Sequence, residues 1–517
     1  MRTALFACGC VLWAAVSFAQ YVPPAGVPSP AFGVNETAPA PTLYVNASTG
    51  NDGNAGTIGS PKATIPRNLS AGTVVQVSGA QTASYTSPNG LHISGSVGSP
   101  VWIVSDPASA MSFSGSGEID GTYLIMEGGS THGWTIRDTA ANGDSNHLAI
   151  RNVTFTSGGL GIGAFGSGTI SQIVVKGVNI HNVGVIAEGE NGGDSHCVTI
   201  NRWTDHVWVV DNLLYLCSGD GVQVNAAGGS GTCDATCRGG THHIYIGRNV
   251  MASNRQSGAW AKYSEDVVMT QNVCTGMRAI VEPVGAPDAG MYLNPGLCFG
   301  GQYDAVRPIV MQNLITNSDN GIVFAGFNAD AAGAGITIVG NTLWNIHDIT
   351  YPGSLADCGS AGTAIILRDG FGGARFVANN TISDVRVGIG STPGALAKTY
   401  ANNIFATNSA ADVCWETDAP TITYNNFDNA AVFSPSTSSS NSVIGDPLFV
   451  NAATAEFTLR VGSPALHAGL GYDVNTDYIA LHGVSTGLSY ATLPNIGASQ
   501  ADPAAPGSRP VVRLRFR

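Results

Sequence analysis

The chain has 517 residues, 44% of them apolar and only 11% charged, with 67 glycines and a formal net charge of −13. So few charges and so much glycine exclude an assembly of long helices, whose faces need Ala, Leu, Glu, Lys and Arg. The negative charge excludes nucleic acid as a partner, because neutralising a phosphate backbone needs a net basic face.

At the N-terminus one Arg precedes an apolar run too short to span a bilayer comfortably, and the small-residue site Ser17-Phe18-Ala19 follows it. This pattern predicts a secretory signal over 1–19, cleaved after Ala19. The protein would then be secreted, periplasmic or held at the cell surface, with no stable membrane insertion. Beyond that segment stand Cys197, Cys217, Cys233, Cys237, Cys274, Cys298, Cys358 and Cys414. An even number of cysteines in an exported chain predicts disulfides. Cys233 and Cys237 could close a small loop, and Cys358 with Cys414 a longer one. A zinc site at 233–237 would need a second pair at metal-site spacing, and none follows.

Residues 20–42 are rich in Pro and Ala and predict an extended lead-in or linker. From Tyr44 the texture is uniform: short β-prone runs separated by Gly, Asn, Asp and Ser clusters. Asn recurs at 152, 179, 212, 249, 272, 313, 341, 380, 403 and 426, in steps of about 23 to about 41 residues. Many repeats carry a second run opened by Gly, as at 221–225, 321–324 and 388–391. β runs on a period in the twenties with insertions predict a parallel β-helix, in which stacked coils bury one continuous core. Asn suits its recurring turn, since it tolerates left-handed backbone and can bond along the stack. A β-sandwich would instead need strict two-residue hairpin turns, which are scarce here. The solenoid is expected to form a single domain over 43–500, with 501–517 as a basic C-terminal tail.

The stretch LYVNASTGNDGNAGTIGSPKATI (43–65) is similar to the first coil of the pectin-lyase-like superfamily. DPLFVNAATAEFTLRVGSPALHAGLG (446–471) and LPNIGASQ (493–500) look like the final coil and cap of its exported members. The resemblance covers most of residues 42–500 and implies an all-β, right-handed parallel β-helix. It does not name a reaction, because that superfamily includes lyases, hydrolases, epimerases, esterases and non-catalytic adhesins.

Chemistry-bearing residues concentrate between 191 and 278. His196, His206, His242 and His243 fall there, as do Arg238, Arg248, Arg255, Lys262 and Arg278, in a chain with 22 Lys plus Arg. A basic spot on an acidic protein predicts a local anionic ligand. Gly221 lies nine residues after Asn212 and Gly258 nine after Asn249, which puts 220–225 in register with 257–262 and with 196–201 on the preceding coil. His196, Asp220 and Ser257 then form one column, and Asn201, Asn225 and Lys262 another. Val198, Val222, Ala259, Ile200, Val224 and Ala261 point into the core. Lys262, Gln223 and Trp260 share the outer surface, and Arg255 sits at the turn before it.

NGGDSH (191–196) followed by Asp220-Gly221 and then 257–273 resembles mannuronan C5-epimerases, which carry a Tyr-Gly-Phe-Asp-Pro-His stretch and an Asp-Gly opening the next coil. Asp194, His196 and Asp220 match position by position. Asn191 stands where that family has its tyrosine, and Ser195 where it has proline. The resemblance implies an acidic polysaccharide as substrate. In a uronate polymer the C5 proton becomes removable once the neighbouring carboxylate is neutralised by Lys, Arg or a protonated acid. His, or Lys with a lowered pKa, can then act as base. Loss of the O4 link gives β-elimination, and proton return from the opposite face gives epimerisation.

The expectation is therefore an exported carbohydrate-active enzyme, a polysaccharide lyase, with a C5-epimerase as its near neighbour and a glycan-binding, adhesin-like β-helix as the alternative from another class. A glycoside hydrolase ranks lower, because Asp194 and Asp220 are its only plausible acid pair. Asp194, His196, Asp220, Lys262 and Arg255 are the expected catalytic residues, and His243, Gln223, Trp260 and Arg278 the expected substrate contacts. The simpler readings are that Asp194 and Asp220 are turn residues, Lys262 is merely solvated, and His242 and His243 lie on a surface loop. No metal-ligand set is expected. DVNTDY (473–478) has the outline of a calcium loop, so Ca2+ is the one cofactor considered. A monomer is expected.

Overall fold

The computed structural model describes residues 20–498 except 87–89, 139–143, 165–167, 187–193, 228–232, 278–295, 303–304, 326–334, 348–357, 359–361, 369–374, 392–397, 417–418, 430–431, 436 and 491–493. The expected signal segment, Asn191, Arg278 and the basic tail lie outside the described residues.

The described residues contain 43 strands and almost no helix, and apart from the antiparallel pair Phe449–Asn451 and Glu456–Leu459 the strands pair parallel with the equivalent strand of the next coil. The protein is a parallel β-helix. Each central coil contributes three strands. Val198–Asn201, Thr204–Val210 and Leu213–Cys217 make one coil; Val222–Asn225, His242–Gly247 and Val250–Ala252 make the next. Ser257–Lys262, Val267–Thr270 and Val273–Thr275 follow. The three faces are formally two sheets, because the long strand Ser116–Glu127 pairs at one end with the first face and at the other with the second. Inward Val, Ile, Leu and Met of all three faces form one continuous core running along the solenoid. No helix among the described residues is long and apolar enough to cross a membrane.

A ladder of buried asparagines pins the corner between the second and third faces. Asn212, Asn249, Asn272, Asn313, Asn341, Asn380, Asn403 and Asn425 each accept, at Oδ1, the backbone N–H of the preceding member or its equivalent. Their Nδ2 groups also bond the next Oδ1, as between Asn249 and Asn272 at 3.0 Å. Three of the asparagines picked out by spacing are not on this ladder. Val178 holds the slot beside Asn179, Asn152 is exposed in left-handed backbone, and Asn425 rather than Asn426 completes the run. The turn pattern does not distinguish adjacent residues; the direction of the side chain does.

The Pro-rich lead-in is an extended strap, not a free linker. Val27 and Phe32 are buried against Trp102, Ile125, Val174, Trp208 and Tyr245 on the outer side of the second face. Trp208 Nε1 donates to the Pro28 carbonyl at 2.8 Å and Thr270 Oγ1 to that of Ala25 at 3.0 Å. The helix Thr476–His482 joins the same cluster through Tyr478. The expected calcium outline is the start of this helix. Asp473 accepts the N–H groups of Asn475 and Thr476 at 2.7 and 3.3 Å and the Thr476 hydroxyl, so its carboxylate serves as a turn cap.

All eight expected cysteines are paired: Cys197–Cys217, Cys233–Cys237, Cys274–Cys298 and Cys358–Cys414.

Candidate active site

The predicted register is the observed one. Val198 pairs with Val222 and Ala259 in successive coils, and Asn201 with Asn225 and Lys262. Val198, Ile200, Val222, Val224, Ala259 and Ala261 are fully buried in the core. The alternate positions therefore face outward, and the segment before each strand carries a polar group.

Three of those polar groups meet at one corner. The Cys197–Cys217 bridge, with its Cα atoms 5.7 Å apart, ties the residue after His196 to the turn that leads into Asp220. Backbone hydrogen bonds from Gly219 to Ser195 (2.7 Å) and from Cys197 to Asp220 (2.9 Å) fix the two segments side by side. Gly219 is required here, since a Cβ on it would lie 2.3 Å from His196 Nδ1.

His196 is strung between two carboxylates, with a side-chain exposure of 9%. Its Nδ1 accepts the Asp220 N–H at 2.8 Å and lies 3.2 Å from Asp220 Oδ2. The amide calls for a lone pair on that nitrogen and the carboxylate for a proton, so Asp220 meets the ring with both a donor and an acceptor. The other ring nitrogen, Nε2, faces Asp194 Oδ2 at 3.9 Å.

Asp220 is 1% exposed and accepts Ser257 Oγ–H at 2.5 Å and Gln223 Nε2–H at 3.1 Å. Burial pushes its pKa up, but His196, the Ser257 hydroxyl and the charge of Lys262 outweigh burial and leave it below the usual carboxylate range. Asp194 is the accessible acid, with 46% of its side chain exposed. Its Oδ1 takes hydrogen bonds from Arg255 Nη2 at 2.9 Å and from Gln256 Nε2. Arg255 is buried to 1% side-chain exposure, and its Nε donates to the Ser218 carbonyl. It therefore acts on Asp194 from behind and does not itself meet solvent.

Lys262 stands apart from this corner. Ser257–Lys262 is one unbroken strand of 6 residues, so the lysine Cα lies about 16 Å along it from the Ser257 position. Its half-buried side chain is the neighbour in register of Asn225, whose own side-chain oxygen is buried and without a hydrogen-bond partner among the described residues. Between the two ends lie Gln223, 6% exposed, and the half-buried Trp260, which packs against Leu297, Val323 and Ile366. The outer side of the first face is thus a floor of mixed polar and apolar groups, with the Asp194–His196–Asp220 corner at one end and Lys262 at the other.

Two other features of the sequence take a different form in the structure. His243 lies on the second face, because His242–Gly247 pairs with Thr204–Val210 and with no strand of the first face. His242 and His243 open a strand and do not lie on a loop. The predicted basic spot is also neutralised. Arg238 pairs with Glu265, Arg248 with Asp211 and Arg255 with Asp194, at 3.5, 2.7 and 2.9 Å. Clustering in sequence showed the cations but not the acids that come from neighbouring coils. Sequence reasoning gave Ser257 a place in the column but no role, and it passed over Gln256, which holds Asp194. Gly219 before Asp220 was the available signal for a ring packed against that turn.

No family model matches this chain, and no curated protein sequence does either. Solved structures do match in trace. Pectate lyase Pel9A is 13% identical with a TM-score of 0.40, over 89% of this chain and 96% of that one. The surface adhesin PfbA of Streptococcus pneumoniae is 12% identical with a TM-score of 0.40, over 67% of this chain and 84% of its own. The A-module of the Azotobacter vinelandii mannuronan C-5 epimerase AlgE6 is 13% identical with a TM-score of 0.32, over 73% and 91%.

Proposed function

We propose that the protein is an exported carbohydrate-active enzyme that cleaves a uronate-containing polysaccharide by β-elimination. The observation that carries this reading is the buried His196 held between Asp194 and Asp220, with the Arg255 guanidinium buried behind Asp194. A turn needs none of this, and desolvating such groups costs several kcal/mol unless they are fully paired. Four disulfides suit an oxidising compartment and support export.

In the proposed reaction the polymer lies along the first face. His196 Nε2–H hydrogen-bonds the carboxylate of the reacting uronate and stabilises charge developing on it. Asp194 Oδ2 takes the C5 proton. The C–H electrons form the C4–C5 double bond, the C4–O4 bond breaks, and Asp194 passes the proton on to O4. Asp220 and Arg255 are positioning residues, the first for His196 and the second for Asp194. Lys262 binds the carboxylate of a uronate further along the chain, and Asn225 offers a hydrogen-bond acceptor beside it.

The test is product analysis on a panel of uronate polymers. New unsaturated ends seen by ultraviolet absorbance, with unchanged C5 configuration by NMR, are expected. A changed epimer ratio without new double bonds would replace elimination by epimerisation.

A further inference from the structure

The titratable cluster that the proposed reaction does not use lies on the second face. Asp205 and His242 are partners in register on successive coils, as are Val207 and Ile244, so His206 and His243 project from the same bend of the two coils. Their rings stack at 4.6 Å with an interplanar angle of 14°. Both residues have positive φ, 51° and 53°, as do Tyr123, His147, Gln172 and Asp266 elsewhere on the solenoid, so the backbone shape there belongs to the fold. The chemistry of this pair of coils does not follow from that shape.

Three imidazole nitrogens converge on a single carboxylate oxygen. Asp205 Oδ1 lies 2.7 Å from His206 Nδ1, 2.9 Å from His242 Nδ1 and 3.5 Å from His243 Nδ1. Asp205 Oδ1 and His206 Nδ1 are both buried, and neither makes a hydrogen bond of acceptable geometry among the described residues. His243 Nε2 sits 3.3 Å from the Leu481 carbonyl, an acceptor only, so Nε2 carries the proton. The ring then presents a lone pair at Nδ1, facing His242 Nδ1 at 2.5 Å as well as the carboxylate. A ring nitrogen so presented beside a buried carboxylate oxygen is a donor set that a cation can take up.

The separations are near what one cation needs, with Asp205 Oδ1 and His206 Nδ1 opening from 2.7 Å on binding. Ligand atoms about 2.0–2.1 Å from a tetrahedral Zn2+ stand about 3.3 Å apart. Asp205, His206 and His243 offer donor atoms that all lie within 4.8 Å of one another. Two imidazoles and a carboxylate select a borderline transition metal over Ca2+ or Mg2+, which prefer oxygen alone. The His243 Nε2–H bond to a backbone carbonyl is the kind of outer contact that fixes a ligating histidine's tautomer. We infer that Asp205, His206 and His243 form a binding site for a divalent transition cation of the zinc type, with His242 beside it. Because the outer contact comes from Leu481, at the end of helix Thr476–His482, the metal would also hold that helix against the solenoid.

The experiment is isothermal titration of the full chain, any affinity tag removed and metal stripped by chelator, with ZnSO4 near neutral pH. One Zn2+ per chain is expected, with Co2+ giving the visible absorption of a low-coordinate site. His206→Ala and His243→Ala should each weaken binding at least about tenfold, while His347→Ala, remote in sequence, keeps it. Asp205→Asn is the conservative variant should either alanine variant fail to fold, as judged by circular dichroism. Absence of stoichiometric Zn2+ binding in the wild type, or full binding in His206→Ala and His243→Ala, overturns the assignment.

Discussion

Replacing Asn272 by Ala should loosen the solenoid locally and by a calculable amount. The Asn272 oxygen accepts both the backbone N–H of Asn249, at 2.9 Å, and its side-chain N–H, at 3.0 Å. Asn249 is fully buried, so water cannot replace the lost acceptor. An orphaned buried donor costs about 1–3 kcal/mol, so two cost about 2–4 kcal/mol at the lower end of that range. Opening of this corner would then be roughly 30-fold to 10³-fold easier, at about 1.4 kcal/mol per factor of ten. Hydrogen–deuterium exchange reads this directly at the Asn249 amide. Asn179→Ala is the control, because Val178 occupies the ladder slot in that coil; it should shift stability by less than about 0.5 kcal/mol. Equal exchange in the two variants would refute the ladder as the element that fixes coil register.

Three other outcomes are expected. Joint replacement of Cys197 and Cys217 by Ala removes the closure of a 20-residue separation, worth about 3 kcal/mol, and should increase proteolysis near 194–220. Wild-type cleavage rates there would show that the bridge does not set the corner. For Asp220 the pKa is lowered in the fold, so it stabilises above the unfolded value of about 3.9 and that contribution fades as pH falls through the lower folded value. Asp220→Asn should therefore flatten the acid limb of a stability profile below about pH 4, which circular dichroism can follow. Burial lowers the His482 pKa to about 4. As a base kept neutral, it stabilises above about 6.5 and costs up to about 3 kcal/mol as pH falls from there toward 4. His482→Phe should remove that loss, read as retained protection of 472–490 at pH 5; an unchanged acid release would sink the idea.

The repeat and its register were legible in the sequence, because a two-residue alternation and a recurring Asn report backbone geometry directly. Asp194, His196 and Asp220 do meet, since one register places them on adjacent coils. What the sequence hid were relations across coils on other faces. His243 was grouped with His196 by proximity in the chain, yet a coil turns a corner within a few residues and sends it to the second face. The arginines looked like a free basic spot because their acidic partners lie 27 to 61 residues away. The hydrogen bond from the Asp220 backbone amide to His196 Nδ1 is a relation that no spacing rule foresees. The strap over 20–42 was disguised by its proline content, although Val27 and Phe32 were available as anchors.

The most direct measurement of the central claim is the initial rate of unsaturated-end formation on the uronate polymer that gives product, compared among wild type, Asp194→Asn and His196→Gln. Both variants should lose at least about 10²-fold in rate while keeping their circular dichroism and polymer binding. Rates within a few-fold of wild type in both variants, or binding without product on every polymer, would contradict the account, and the second result would make the protein a glycan-binding β-helix.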